Sequence, residues 1–200
     1  MKHKLNILTL TWLLLMAHGA TSAYALDENT FTTWQAAYLK GIDGSESDLE
    51  NAIRYFDNVS EAEPYDIFVN TYRGSLRSRM AQHVYMPWNK MKHVDAGSEF
   101  MDDALDEITE IHERQTLGGT AISFRMKLVV AHTYSRFPRF LNRYQDAKDL
   151  VTDLLASPQL ATASTDAKNS LYGLAAAIAE DDGDKTKQSD YLSHIVVVPD

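Results

Sequence analysis

The chain has 200 residues, a formal net charge of −9 and no cysteine. The acidity argues against nucleic acid or an anionic lipid surface as the main partner, because phosphate groups and an acidic protein repel each other. The lack of cysteine excludes disulfide bridges, a thiol nucleophile and a lipid-modified N-terminal cysteine. A chain of this length can still bury enough surface to fold as one domain by packing alone.

Residues 1–25 have the three-part pattern of a cleavable signal peptide. Lys2 and Lys4 give a basic start, residues 5–17 are largely apolar, and Ala23-Tyr24-Ala25 places small residues at both recognition positions. An uncleaved anchor is the alternative, but a spanning helix needs about 20 apolar residues and this run is shorter. We therefore expect cleavage after Ala25 and export to the periplasm. The remaining domain, residues 26–200, contains no later membrane span and has a formal net charge of −11, because two lysines are lost.

Residues 26–200 predict an all-α fold. Their apolar residues recur three and four positions apart in block after block, and strand-like alternation is scarce. Ser47 followed by Glu50 is typical of a capping box, and Asp184 is a good N-cap for the last helix. Breaks at glycine or proline separate eight predicted helices, at residues 30–39, 47–58, 66–85, 96–113, 120–135, 142–156, 166–180 and 185–197.

A repeated pattern suggests that these helices form pairs. The second helix of a pair carries a small residue, a large apolar residue four positions later, an apolar residue three positions after that, and then a proline. Three copies follow this order, the last one degenerate: Ala52-Phe56-Val59-Pro64, Ala147-Val151-Leu154-Pro158 and Gln188-Leu192-Ile195-Pro199. One helix pair cannot bury both of its faces, so we expect the pairs to stack.

The last copy resembles a known repeat family. Positions at the offsets of the tetratricopeptide repeat are occupied by Tyr172, Ala176, Ala179, the Gly183-Asp184 turn and Leu192. Residues 72–76 and 88–92, and Arg125 with Pro138, are also similar to uncharacterised exported bacterial proteins of this tetratricopeptide-like type. The resemblance implies a right-handed solenoid of about four antiparallel helix pairs, with a concave face that binds a protein or peptide.

The chain contains none of the usual catalytic or metal-binding motifs. It has no Gly-x-Ser-x-Gly motif and no glycine-rich phosphate loop. Its five later histidines include no two that are three or four positions apart, so no helical metal pair is predicted: His83, His93, His112, His132 and His194. The acidic run at residues 180–184 lacks the register of a calcium loop. We therefore expect no catalytic residue, no metal and no cofactor.

Basic and aromatic residues suggest a contact surface in this acidic protein. Arg73 and Arg77 lie four positions apart and so share a helix face. Guanidinium groups among aromatic rings suit the binding of a carboxylate or an acidic peptide segment. The alternative is that these arginines pair internally with the many acidic residues. The predicted contact surface consists of Tyr72, Arg73, Arg77, Trp88, Lys90, Arg125 and Arg139.

Two functional hypotheses follow from these patterns. The first is a periplasmic helical-repeat protein that acts as a binding or scaffold protein for a protein or peptide partner. The second, from a different class, is a cofactor-free enzyme or a small anionic ligand-binding protein that uses a pocket between helices.

Overall fold

The computed structural model describes residues 27–63 and 66–197, and the fold is all-α, as predicted. The predicted signal peptide, residues 1–25, lies outside the described residues. Ten α-helices occupy the described part of the chain: α1 (Glu28–Asp43), α2 (Glu46–Ala62), α3 (Ile67–Arg79), α4 (Pro87–Asp106), α5 (Glu110–Arg114), α6 (Ile122–Ser135), α7 (Arg143–Ala156), α8 (Gln159–Thr162), α9 (Thr165–Asp181) and α10 (Lys185–Ser193). A two-stranded antiparallel hairpin, β1 (Thr116–Leu117) and β2 (Thr120–Ala121), precedes α6, and two short 3₁₀ turns lie at Met80–Gln82 and Arg139–Leu141.

Side-chain caps fix the starts of several helices. Asp184 caps α10 by accepting a hydrogen bond from the Lys187 amide, so this prediction is confirmed. The capping box of α2 is formed by Ser45 and Asp48, and the prediction of Ser47 with Glu50 is wrong by two residues. Both pairs have the required spacing, and the backbone turns into the helix at the earlier serine.

The middle of the chain divides differently from the prediction. The third helix ends at Arg79 and continues only as a 3₁₀ turn, whereas the sequence predicted a helix to residue 85. The next helix begins at Pro87, where the fixed φ of proline suits the first helical position. It ends at Asp106, and α5 forms a separate short helix instead of the single predicted helix 96–113.

Neighbouring helices pack in successive pairs. The main contacts join α1 with α2, α3 with α4, α6 with α7, and α9 with α10. Further contacts join α2 with α3, α3 with α6, and α7 with α9, so each pair rests on the previous one. No helix in the described ranges is long and apolar enough to cross a membrane.

Helices α3 and α4 cross with their backbones in direct contact. A Cβ atom added to Gly74 would lie 2.6 Å from the carbonyl oxygen of Gly97, and one added to Gly97 would lie 2.5 Å from that of Gly74. The two backbones therefore touch here, which only glycine permits. This contact holds together the C-terminal part of α3 and the N-terminal part of α4, both of which line a cavity.

Candidate ligand cavity between α3, α4 and α6

Tyr72, the first residue of the predicted contact surface, is a core residue. Its side chain is 3% exposed, and its ring stacks on that of Tyr38 with 4.2 Å between the ring centroids. Burial raises the pKa of its hydroxyl far above the usual range. Tyr72 therefore supports the fold from inside, and its assignment to a contact surface has to be corrected.

Arg73 and Arg77 share a face of α3 as predicted, but they bind a carboxylate of the chain itself. Arg73 Nε donates to Asp57 Oδ1 at 3.1 Å, and Arg77 Nη2 donates to the same oxygen at 2.7 Å. Both guanidinium groups also lie over the ring of Phe100, at 4.4 and 5.6 Å from its centroid. This is the internal pairing that the sequence left open.

Arg125 and Arg139 likewise have partners within the chain. Arg125 Nε donates to the carbonyl oxygen of Leu117 at 2.9 Å, which ties α6 to the hairpin. Arg139 Nη2 lies 3.0 Å from Asp181 Oδ2, and its guanidinium stands over the ring of Tyr144. These two residues hold elements of the fold together.

Trp88, Lys90 and Arg139 are the exposed members of the predicted surface, and of these Arg139 is paired with Asp181. Trp88 is 67% exposed at the start of α4, and Lys90 is exposed half a turn further along. Lys90 faces a cavity of about 610 Å³ that the sequence did not reveal.

Three chain segments form the walls of this inter-helix cavity. On each segment the lining residues have helical spacing and so share a face. They are Ser75, Ser78, Arg79 and Gln82 from α3 and its 3₁₀ turn, Pro87, Lys90, Met91 and Val94 from α4, and His132, Thr133, Arg136 and Phe137 from α6 and the residues after it. Tyr38 and Ile42 of α1, together with Ala81, Pro138, Phe140 and Leu141, complete the lining.

The charge of the cavity is opposite to that of the whole protein. Arg79, Arg136 and Lys90 line it, and none of the described residues that line it is aspartate or glutamate. Arg79 and Arg136 are also the two arginines whose guanidinium groups make no hydrogen bond, ion pair or ring contact with another residue in the described part of the chain. Burial raises the pKa of the Tyr38 hydroxyl, and the positive charges of Arg79 and Arg136 each act to lower it.

Hydroxyl groups of the inner wall form a directed chain of hydrogen bonds. Thr133 Oγ1 donates to the carbonyl oxygen of Val129 at 2.9 Å, so its 2.8 Å contact with Ser75 Oγ makes Ser75 the donor. The Ser75 hydroxyl has only one proton, which it donates to Thr133, and the Tyr38 hydroxyl therefore donates to Ser75 Oγ at 2.9 Å. All three protons of this hydroxyl chain, Tyr38, Ser75 and Thr133, are consumed within the protein. Ser78 Oγ, in contrast, is buried and has no hydrogen-bond partner in the described part of the chain.

His132 is an uncharged member of the lining near neutral pH. Its Nε2 lies 2.8 Å from Ser170 Oγ. Burial, reinforced by the nearby Arg136 guanidinium, lowers its pKa to about 4. The positive charge of the cavity therefore comes from Arg79, Arg136 and Lys90.

A second, smaller cavity of about 320 Å³ beside α4 has a different character. It is lined by Asp95, Glu99 and Asp102, with Arg143 as its one cation among the described residues. Arg143 is already paired with Asp102 and with Asp146, so its guanidinium is occupied, and the acidic side chains of the lining outnumber this one cation. No group of three or more histidine, aspartate or glutamate residues in the described ranges could hold a metal ion.

Sequence reasoning missed Arg79 and Arg136 as site residues. Neither has an acidic residue three or four positions away, but the same is true of Arg73 and Arg77, which are paired. The inter-helix cavity thus differs from the predicted surface in its residues, with Lys90 common to both. Comparison with protein-family models, with curated proteins and with solved structures finds no match for this chain.

Proposed function

We propose that this chain is an exported all-α binding protein that holds a small anionic ligand in the inter-helix cavity. The observation that carries the proposal is the coincidence of two facts. Arg79 and Arg136 are the two unpaired arginines of the described chain, and both line one cavity whose described lining contains no carboxylate. An acidic protein has many carboxylates with which to neutralise these cations, yet here it offers none.

The chemistry of the guanidinium group supports an anion as the ligand. A guanidinium presents a planar fork of donors that matches a carboxylate or phosphate, and charge-assisted hydrogen bonds are about twice as strong as neutral ones. Arg79 is half-buried and Lys90 adds a third cation, so an anion that enters loses water but gains several partners.

The proposed architecture is the tetratricopeptide-like solenoid of about four helix pairs. The stacking of each helix pair on the previous one supports it. The scaffold hypothesis loses most of its residues, because Arg73, Arg77, Arg125 and Arg139 have internal partners and Tyr72 is buried. Export through the predicted signal peptide stays part of the proposal.

A ligand screen with matched variants tests this function. Carboxylates, phosphates and their neutral and cationic analogues are added to the purified protein, and the melting temperature is measured. An anion at 100 times its dissociation constant should stabilise the fold by about 2.7 kcal/mol, which is roughly 5–10 °C for a chain of this size.

The variants attribute that shift to the cavity. Arg79→Gln with Arg136→Gln should weaken the binding of the anion at least tenfold. Arg114→Gln is the matched control, since Arg114 makes an exposed helix ion pair with Glu110 elsewhere on the surface. A screen in which no anion raises the melting temperature, or a double variant that binds as tightly as the parent, would refute the proposal.

A further inference from the structure

The geometry points to an amphiphile as the ligand, with one anionic head at the mouth of the inter-helix cavity and an apolar body inside it. This inference rests on the proposed function and names its ligand class, a long-chain carboxylate or phosphate. Its basis is that two of the three cations of the lining are exposed, whereas much of its apolar surface is buried.

The exposure of the lining residues shows this separation. Val94, Phe137 and Tyr38 are buried, at 7%, 8% and 9% exposure, and form the inner wall. Arg136 and Lys90 are exposed and therefore lie at the opening. A ligand whose charge sat deep in the cavity would leave these cations behind, whereas an amphiphile places its head beside them.

The hydrogen-bonding capacity of the inner wall also favours an apolar body. Every proton of the hydroxyl chain is used within the protein, so these groups offer a ligand no donor. Ser78 is the buried lining residue with an unpartnered hydroxyl in the described chain, and it can donate to one acceptor atom of a ligand. The acceptor atoms of a sugar or a nucleoside would therefore find few donors in this wall, and burying them unpaired lowers the affinity.

The mouth adds apolar surface of its own. Phe140 lines the cavity and is 74% exposed, so its ring is available for contact with a ligand. The cavity volume of about 610 Å³ lies within the range of about 300–1,000 Å³ that buries most of a drug-sized ligand. An apolar chain that fills the cavity and passes under Phe140 would cover this surface.

A chain-length series tests the inference by calorimetry on the exported protein. Acetate, octanoate, decanoate and dodecanoate are compared below their micelle concentrations, with dodecyl phosphate as a second head group. We expect the affinity to rise about fourfold for each buried methylene until the cavity is full. Dodecanol and dodecyltrimethylammonium should bind at least tenfold more weakly than dodecanoate.

Two variants separate the head from the body. Arg79→Gln with Arg136→Gln should remove the preference for the anionic head. Phe140→Ala should weaken the binding of dodecanoate several-fold and leave the fold intact, because the ring is exposed. Leu192→Ala, at an exposed leucine of α10, is the matched control. If the neutral and cationic chains bind as tightly as dodecanoate, the assignment of the head is refuted.

The outcomes distinguish this inference from the proposed function. If acetate or inorganic phosphate binds as tightly as dodecanoate, and the double arginine variant loses this binding, the protein binds anions but the amphiphile is refuted as its ligand. Absence of binding by every anion, short or long, would overturn both.

Discussion

His132 should make the stability of this protein depend steeply on pH below neutrality. Its imidazole is held neutral in the folded state, with a pKa lowered from 6.5 to about 4 by burial and by Arg136. In the unfolded chain it protonates near pH 6.5. Between these two values the unfolded state binds one more proton, so the free energy of unfolding falls as the pH falls. The loss begins near pH 6.5 and is complete below about pH 4.

The magnitude follows from the size of the pKa change. At 1.36 kcal/mol per pKa unit, lowering the pKa from 6.5 to about 4 corresponds to about 3 kcal/mol. This is a large part of the total stability of about 5–15 kcal/mol that a single domain commonly has. His132→Gln removes the titration and keeps a group that can hydrogen-bond Ser170.

Urea denaturation at several values between pH 4 and pH 7.5 measures the effect. The difference in unfolding free energy between the parent and H132Q isolates His132, because the carboxylates that titrate in this range are common to both. H194Q, which removes an exposed imidazole just after the end of α10, controls for the loss of a histidine as such. Parallel pH curves for the parent and H132Q would show that the folded-state pKa of His132 is not lowered.

Two further predictions concern the packing that surrounds the cavity. Gly97→Ala should lower the free energy of unfolding by about 1–3 kcal/mol, because its Cβ meets the backbone of α3 at 2.5 Å. Gly173→Ala, at a helical glycine whose added Cβ would meet no atom within 4 Å, should raise the free energy of unfolding by about 0.5–1 kcal/mol. Urea titration of both variants measures these changes, and equal effects of the two substitutions would contradict the prediction. Asp57→Asn should cost about 1 kcal/mol, since it frees two half-buried arginines. That loss should shrink in 1 M salt and be absent in Asp153→Asn, an exposed control on α7.

The helices were predictable because their signals are local. Apolar spacing and the Asp184 cap each depend on residues only a few positions apart along the chain. The start of α4 was nevertheless predicted at residue 96 and lies at Pro87, so the proline was not recognised as the first helical residue. The α2 cap was misplaced because residues 45–50 contain two serines that each precede an acid by three positions. The break between α4 and α5 carries no glycine or proline, so the sequence provided no sign of it.

The cavity was not predictable because its residues meet only through tertiary packing. Arg79 ends α3 and Arg136 follows α6, and no sequence pattern states that these two ends face each other. The fate of the paired arginines depends on Asp57, which lies one helix earlier at separations of 16 and 20 residues. Sequence composition suggested an anion-binding surface, but the pairing that decides which arginines are free is a long-range property.

The backbone contact between Gly74 and Gly97 has a consequence for how a ligand would bind. Side chains that must be ordered on binding commonly cost about 0.5–1.5 kcal/mol each, but α3 and α4 meet backbone to backbone at two glycines, and this contact itself requires no side chain to be ordered. The wall that α3 and α4 share is therefore set before any ligand arrives. Binding should then follow a single fast phase in stopped-flow measurements, with a rate that rises in proportion to ligand concentration and shows no slow rearrangement.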